Sequence, residues 1–485
     1  RYGRFAVILA DCKFCFVLIE TIVYIELFRG KLMILGAKRL PPRELGTFAI
    51  ILATLFPLLP IQSRAADSPA PVQQPTQTAA PQAGNILTLD EAIQIALENH
   101  PSIKASKDRI GAQEAVVGQQ MAAYYPTINM NNFYQTGTQT AGSPTTGRAQ
   151  DRYQSQVSLA MTLYNFGRRE ATVQAAQDTL DATSFNYKTT VDNVILGVKQ
   201  SYFTYLGLRA LVKVGEETVK SRQLLARQAQ GFYEVGTRAR IDVARAESNL
   251  YLSEANLITA QNAVKIAWAT LKNAMGVRDL PERPLAEEVT MTPIPYTLDQ
   301  AKDIAFASRP ELKSFDAQRK AQDQTIAAAR RGYLPDLVFD ANHRYSGSSF
   351  DGSGAFLRPS WQIQTSLVFP IFEGFRTANR VEETLRNYYV IKSQEEVQRQ
   401  QVALDVEQAY LRLVELQERI KANEAALNAA KENLDLANGR YQVGVGSIIE
   451  ATDAQTLYTE AQTTYIRTLY DYKIAEAQLT RAIGR

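Results

Sequence analysis

The chain holds two cysteines in 485 residues, and both, Cys12 and Cys15, fall close to its start. Everything beyond them lacks a thiol, a disulfide framework and a cysteine metal site. Histidine is as scarce, with His100 and His343 the only two. Neither sits among carboxylates at metal-ligand spacing. His100 precedes a proline at a helix start, where a structural role suffices. His343 shares strand parity with Phe339 and Tyr345, which puts it near a sheet surface. There is no P-loop, no dinucleotide fingerprint and no nucleophile elbow. Gly352-Ser353-Gly354 lies in a loop of turn residues and signals no more than a turn. These absences predict no cofactor, no metal and no enzymatic activity.

An excess of one charge sign is missing as well. Of 53 Lys and Arg, nine lie in residues 1–65, against four of the 50 Asp and Glu, which leaves 44 bases and 46 acids beyond. That balance offers no basic patch and argues against nucleic acid as a partner. Long apolar runs are absent too. The longest candidate, 48–61, is about 14 residues, short of the roughly 20 that span a bilayer as a helix. It follows Met33, Lys38, Arg39 and Arg43 and precedes Ser63-Arg64-Ala65, the three-part form of a secretory signal peptide over 33–65. No cysteine stands at that cleavage point, so no lipid anchor is expected there. Residues 1–32 begin without Met and read as an upstream, non-native segment. Residues 66–85, rich in Pro, Gln, Ala and Thr, read as a flexible tail.

What the sequence does have is one unit written twice. Leu87-Thr-Leu-Asp-Glu-Ala…Asn-His-Pro101 matches Tyr296-Thr-Leu-Asp-Gln-Ala…Ser-Arg-Pro310, an offset of 209. Tyr125-Pro126 matches Leu334-Pro335 at 209, Gly167 matches Gly374 at 207, and Met275-Gly276 matches Ile483-Gly484 at 208. Even spacing of this kind marks duplication. The repeats span 86–276 and 297–485, joined by a connector at 277–296 that carries four prolines.

Each repeat predicts five parts: a short capped helix, a second helix (Pro101–Tyr124, Pro310–Tyr333), two strands around a polar loop, a very long helix (168–230, 376–438), and a turn with a returning helix. The strands alternate with period two. Tyr153, Val157, Leu159 and Met161 alternate with Gln154, Gln156, Ser158 and Thr162. Trp361, Ile363 and Leu367 alternate with Gln362, Gln364 and Ser366. Such ten-residue strands suit a transmembrane barrel; strand parity alone suits an ordinary half-buried sheet equally well. The long helices carry sevens: Val191, Val198, Tyr205, Val212, Val219, Ala226, Tyr233, and Val406, Leu413, Ile420, Leu427, Leu434, Tyr441. Sustained sevens mean coiled-coil packing. At 1.5 Å per residue the long helix spans roughly 95 Å, and the two shorter ones end to end roughly 90 Å. They therefore stack beside it, with strands at one end and turns at the other.

The turns are twins. Tyr233-Glu-Val-Gly-Thr-Arg-Ala-Arg-Ile-Asp242 matches Tyr441-Gln-Val-Gly-Val-Gly-Ser-Ile-Ile-Glu450. Glycine ends one helix, and an acid meets the positive end of the next. Four strands cannot stand in a membrane as an open sheet, so closure must come from further copies. Two copies would give an eight-strand barrel filled by its own side chains, whereas three leave a lumen.

This layout resembles the TolC family of outer-membrane efflux channels across residues 86–485. The carriers are Leu-Thr-Leu-Asp-Glu-Ala…Asn-His-Pro, Tyr-Tyr-Pro before the first strand, Leu-Tyr-Asn-Phe-Gly-Arg after the second, and the two turns. The resemblance implies an α+β membrane protein: two tandem repeats, each giving two strands to a trimeric twelve-strand β-barrel and long antiparallel coiled-coil helices to a periplasmic α-barrel. It implies localisation in the cell outer membrane, reaching into the periplasm. Its implied partners are two further copies, outer-membrane lipid, a periplasmic membrane-fusion adaptor and an inner-membrane transporter. The cargo would be drugs, toxic compounds, ions or secreted polypeptides. By resemblance, Glu450 and Asp453 match an acidic pore constriction, and Tyr441, Asp242, Arg238 and Arg240 a closed-tip network. Val235, Gly236, Val443 and Gly444 match adaptor-facing turns. Two departures stand out: Glu450 replaces an aspartate, and Gly446 stands where the family has an arginine. Arg238 and Arg240 are the candidates to take that arginine's place. The alternative is a non-conducting structural or adhesive coiled-coil trimer.

Overall fold

A computed structural model describes residues 86–138, 149–287, 291, 295–347 and 358–485. The expectations for residues 1–85, and for most of the loops 137–151 and 346–358, fall outside the described residues. So does part of the connector.

The elements come twice in one order. Helices α1 (Leu89–Asn99) and α2 (Pro101–Met121) lead through a 3-10 turn into strands β1 (Thr127–Thr138) and β2 (Ala149–Tyr164). Then follow α3 (Arg168–Glu234) and α4 (Arg240–Ala274). The second half gives α5 (Leu298–Ser308), α6 (Pro310–Arg330), β3 (Asp336–Gly347), β4 (Arg358–Val368), α7 (Arg376–Gln442) and α8 (Ile448–Ala482). Both long helices have 67 residues, about 100 Å each. They run four residues past the ends expected from sequence, up to the Val-Gly pairs that stop them. Thr88 and Thr297 cap α1 and α5, the latter in a full capping box with Gln300. His100 caps α2, its Nδ1 accepting from Ser102 N at 3.2 Å.

The four strands form one antiparallel sheet in the order β1-β2-β3-β4. Register sorts the side chains by face. Met130, Val157, His343 and Trp361 form one row across the sheet, and Ile128, Leu159, Ala341 and Ile363 the next. On the other face stand Asn129, Ser158, Asn342 and Gln362, with Asn131, Gln156, Arg344 and Ser360 beside them. One face is apolar and the other polar, over all four strands. The apolar face is also open: Ile128, Met130, Trp361, Ile363 and Leu367 are each more than 60% exposed. β1 and β4 keep one unpaired edge each.

Below the sheet the helices form a layer. α3 is its centre, packed on α2 and α4 to one side and on α6 and α8 to the other. α7 packs on α6 and α8 and forms the far edge. The shorter helices meet end to end. Gly276, with φ 72°, closes α4 so near the start of α2 that a Cβ would stand 2.6 Å from His100 Cα. In the second repeat Ser308 Oγ donates to Ile483 O at 2.5 Å, joining the end of α8 to the start of α6. Gly484, with φ 77°, permits the same approach.

The sevens are buried unevenly. Val406, Leu413, Ile420, Leu434 and Tyr441 are all core, but in the first repeat the series leaves the core after Tyr205, and Tyr233 is 41% exposed. The cause is the central place of α3. With neighbours on both sides, its buried surface is no single stripe, and Leu225 and Ala229 replace the heptad positions near the turn. Asn423 of α7 donates to Thr468 Oγ1 on α8 at 2.9 Å. The connector is tied to α3 by Tyr202, whose hydroxyl donates to Leu87 O and Ala286 O at 3.0 and 3.1 Å. Tyr205 donates to Glu282 at 2.8 Å, and burial with this bond pushes its pKa up to about 12. At mid-height, Arg309 (2% exposed) binds Asp405 at 3.1 Å and Glu311 at 3.3 Å, and Arg481 also pairs with Glu311. Asp192 lies within the field of this cluster.

Candidate functional site at the helical turns

Both turns sit at the end of the layer opposite the sheet. Each is a glycine-terminated helix end of the Schellman kind. Gly236 has φ 74° and Gly444 φ 82°. Thr237 N donates to Phe232 O at 3.0 Å, and Val445 N to Arg440 O at 3.1 Å, closing the last carbonyls of α3 and α7. The valines of the turns are open to solvent. Val235, Val443 and Val445 are 72%, 74% and 70% exposed.

Behind the turns a small core joins all four helices. Leu225 and Ala229 of α3, Val243 and Ala246 of α4, Tyr441 of α7, and Ile448 and Ala451 of α8 pack together. Tyr441 is its centre, at 0% exposure, with Phe232 edge-on at 5.5 Å. Its hydroxyl is buried with no hydrogen-bond partner. Burial pushes the hydroxyl pKa up, Asp242 adds to the rise, and Arg238 opposes it.

The two turns are also bonded to each other. Arg238 Nη2 donates to Gly444 O at 3.0 Å and Gly446 O at 2.5 Å, with its guanidinium 6.0 Å from the Tyr441 ring centre. Gly446 has no room for a side chain, because a Cβ there would stand 2.9 Å from Tyr441 N. Of the sequence-derived network, Tyr441, Asp242 and Arg238 come together. Arg240 does not; it is exposed and makes no ion pair among the described residues.

The acids differ from one another. Glu450 N donates to the capping Ser447 Oγ at 3.1 Å, and the Glu450 carboxylate pairs with Arg440 at 3.0 Å. Both partners are about half exposed, so solvent screens the pair to a small net effect. Asp453, one turn further along α8, is exposed and makes no ion pair among the described residues. Sequence reasoning missed Arg440 and the buried Arg222 on α3, which senses Asp453 electrostatically. Neither had a local signal, since each meets its partner on another helix. Among the described residues no group of His, Cys, Asp and Glu is placed to hold a metal ion. None of the described helices is long and apolar enough to cross a membrane.

An amphipathic sheet with open edges, hung on helices about 100 Å long, defines the protomer of an envelope channel. The chain belongs to the outer membrane efflux protein family, whose sequence model matches residues 92–277 and 303–485. It is similar to the protein CyaE of Bordetella pertussis, 27% identical over 78% of this chain and 80% of that one. The outer membrane protein TolC of Vibrio cholerae is 24% identical over 82% of this chain and 90% of that one. The solved structure of the outer membrane protein VceC from Vibrio cholerae shares the fold, with a TM-score of 0.70 at 18% identity over 82% of this chain and 96% of that one. The protein is thus an outer-membrane channel component reaching into the periplasm, of a transport family and not an enzyme.

Proposed function

We propose that three copies of this chain close into one conduit that exports substrates across the outer membrane. The sheet carries the argument: it is apolar on one face, polar on the other, and has unpaired edges on β1 and β4. Edges bare of partners are not tolerated in lipid. β1 of one copy therefore pairs with β4 of the next. Three four-stranded sheets make twelve strands, enough to leave an aqueous lumen lined by the polar face. That lining favours a conduit over a non-conducting envelope-spanning trimer.

At the far end, Glu450 and Asp453 are read as the acids of the constriction, where carboxylates from several copies favour cations. Tyr441, Asp242 and Arg238 are read as holding the two hairpins of one copy together, which keeps the tip narrow. Arg240 is free to face a neighbouring copy. The bare Val235-Gly236 and Val443-Gly444 turns suit a periplasmic membrane-fusion adaptor, which in turn meets an inner-membrane transporter. Cargo choice is assigned to that transporter.

The test is single-channel recording of the purified protein in a planar bilayer, beside its mass in detergent. A trimer with a small cation-selective conductance supports the reading. A trimer silent both as wild type and with Tyr441→Ala overturns it.

A further inference from the structure

We infer that Arg222 is the counter-charge that sets the negative field of Asp453, from inside the helix layer. The inference rests on the reading of Asp453 as a constriction acid.

Arg222 lies on α3 and is 7% exposed. Its Nη2 donates to Thr456 Oγ1 at 2.8 Å. Its Nε and Nη1 are buried without a hydrogen-bond partner. A guanidinium carries five donors and keeps its charge at any ordinary pH. Burying it with two nitrogens unpaired is costly. Packing alone does not call for it, since Leu225 fills the next turn of the same helix as an ordinary core residue. Its surroundings are polar but neutral: Ser221 Oγ lies 2.5 Å from Gln455 Oε1, and Thr218 and Thr459 hydroxyls are 3.3 Å apart.

Among the described residues, Asp453 is the acid whose field reaches this cation. Asp453 precedes Thr456 by three residues on α8, so both side chains stand on one face of that helix. Burial pushes the guanidinium pKa down, and Asp453 pulls it back up. The exposed acid thus projects from the layer with a fixed positive charge behind it. Glu450 already shares its charge with Arg440. The constriction is therefore damped twice within each copy, once at the surface and once from beneath. The second damping is the more durable, because mobile ions screen a buried charge less than an exposed one. Arg222 touches no permeating ion; its buried charge subtracts from the field that Asp453 presents there.

The experiment is the reversal potential of single channels in a potassium chloride gradient, for wild type, Arg222→Gln, Arg222→Met, Arg222→Lys, Asp453→Asn and the double variant Arg222→Gln with Asp453→Asn. Replacing a buried charge by an apolar side chain of similar size is often tolerated, so the Met variant serves if the Gln variant does not assemble. Losing the positive charge raises the potassium-to-chloride permeability ratio by about two- to threefold, the order expected of one unit charge acting through a water-like medium. Arg222→Lys leaves the ratio near wild type, and because Coulomb terms add, the rise in the double variant starts from the lower ratio of Asp453→Asn. A ratio unchanged in both neutral variants overturns the inference while leaving the constriction standing. So does a rise in Arg222→Lys as large as in the neutral variants. If Asp453→Asn alone changes nothing, the constriction reading itself fails, and this inference with it.

Discussion

Arg238 and Gly446 occupy equivalent places in the two repeats, 208 residues apart, and the guanidinium of the first donates to the carbonyl of the second at 2.5 Å. Duplication usually yields two like turns that ignore one another. Here one turn has a long cation where the other has only backbone, and the cation bonds that backbone's carbonyls. The first repeat thus reaches over the second turn at the position where Gly446 carries no side chain.

Arg238→Ala should therefore loosen the tip without unfolding the chain. A hydrogen bond of this kind is worth about 0.5–1.5 kcal/mol net, so channel openings should become about two- to tenfold more frequent. Arg238→Lys should recover only part of the effect, having lost the planar fork. Gly446→Ala attacks the same contact from the other side. Its Cβ would press on Tyr441 N and the Arg440 carbonyl carbon, at a cost of about 1–3 kcal/mol. Faster amide exchange in residues 436–452 would report it.

Tyr441 acts through its ring rather than its hydroxyl. The hydroxyl has no partner and the ring has 0% exposure. Tyr441→Phe should leave stability and conductance within about 0.5 kcal/mol of wild type, or slightly stabilise the tip. Tyr441→Ala should remove about 3–5 kcal/mol of packing, as a large buried aromatic does, and open the channel. A Phe variant that conducts like the Ala variant would show that the hydroxyl matters after all.

Glu450 and Asp453 should not be equal in a conductance assay. Glu450 is paired with Arg440 at 3.0 Å, so Glu450→Gln removes a charge already half cancelled. Asp453→Asn should lower cation selectivity more. Arg440→Gln should raise selectivity both in wild type and in Glu450→Gln, where the Arg440 charge stands uncompensated.

Asp192 gives a pH signature away from the tip. Burial raises its carboxyl pKa first and Glu311 second, with Arg309 opposing. Folding then favours the protonated acid. Its favourable contribution is full below the ordinary carboxylate range, near pH 4, and is lost as pH rises through the raised value. Asp192→Asn supplies a side chain that is neutral at every pH. Its melting temperature should exceed wild type at pH 7, and the gap should close on acidification to about pH 4. Parallel melts across that range decide it.

Much of the architecture was legible because it is periodic. Strand parity at Tyr153–Met161 and Trp361–Leu367 put the apolar and polar residues on the faces that the register shows. The glycines after Val235 and Val443 marked the turns. That two shorter helices stack end to end beside each long one followed from spacing alone. The heptad series in α3 misled beyond Tyr205, because a seven-residue pattern assumes one partner and α3 has several. Tip chemistry was legible only as residue types. That Arg238 bonds to Gly446, that Glu450 pairs with Arg440, and that Arg222 bonds to Thr456 are facts of helix-to-helix placement. No window of sequence contains both members of any of those pairs except Arg440 and Glu450. Even there, a turn had to fold the ten residues back on themselves.

The free edges of the sheet have a genetic consequence. β1 and β4 are different strands, so on the proposed closure copies would join head to tail, and such a chain would end only when the ring closes. A copy with proline substituted along β1 keeps a sound β4 edge. It joins at one side and blocks the other. In a cell making both kinds in equal amounts, random assembly leaves about one ring in eight free of the altered copy if three join. Lesions on one sheet edge should thus be dominant, while lesions that prevent folding altogether should be recessive.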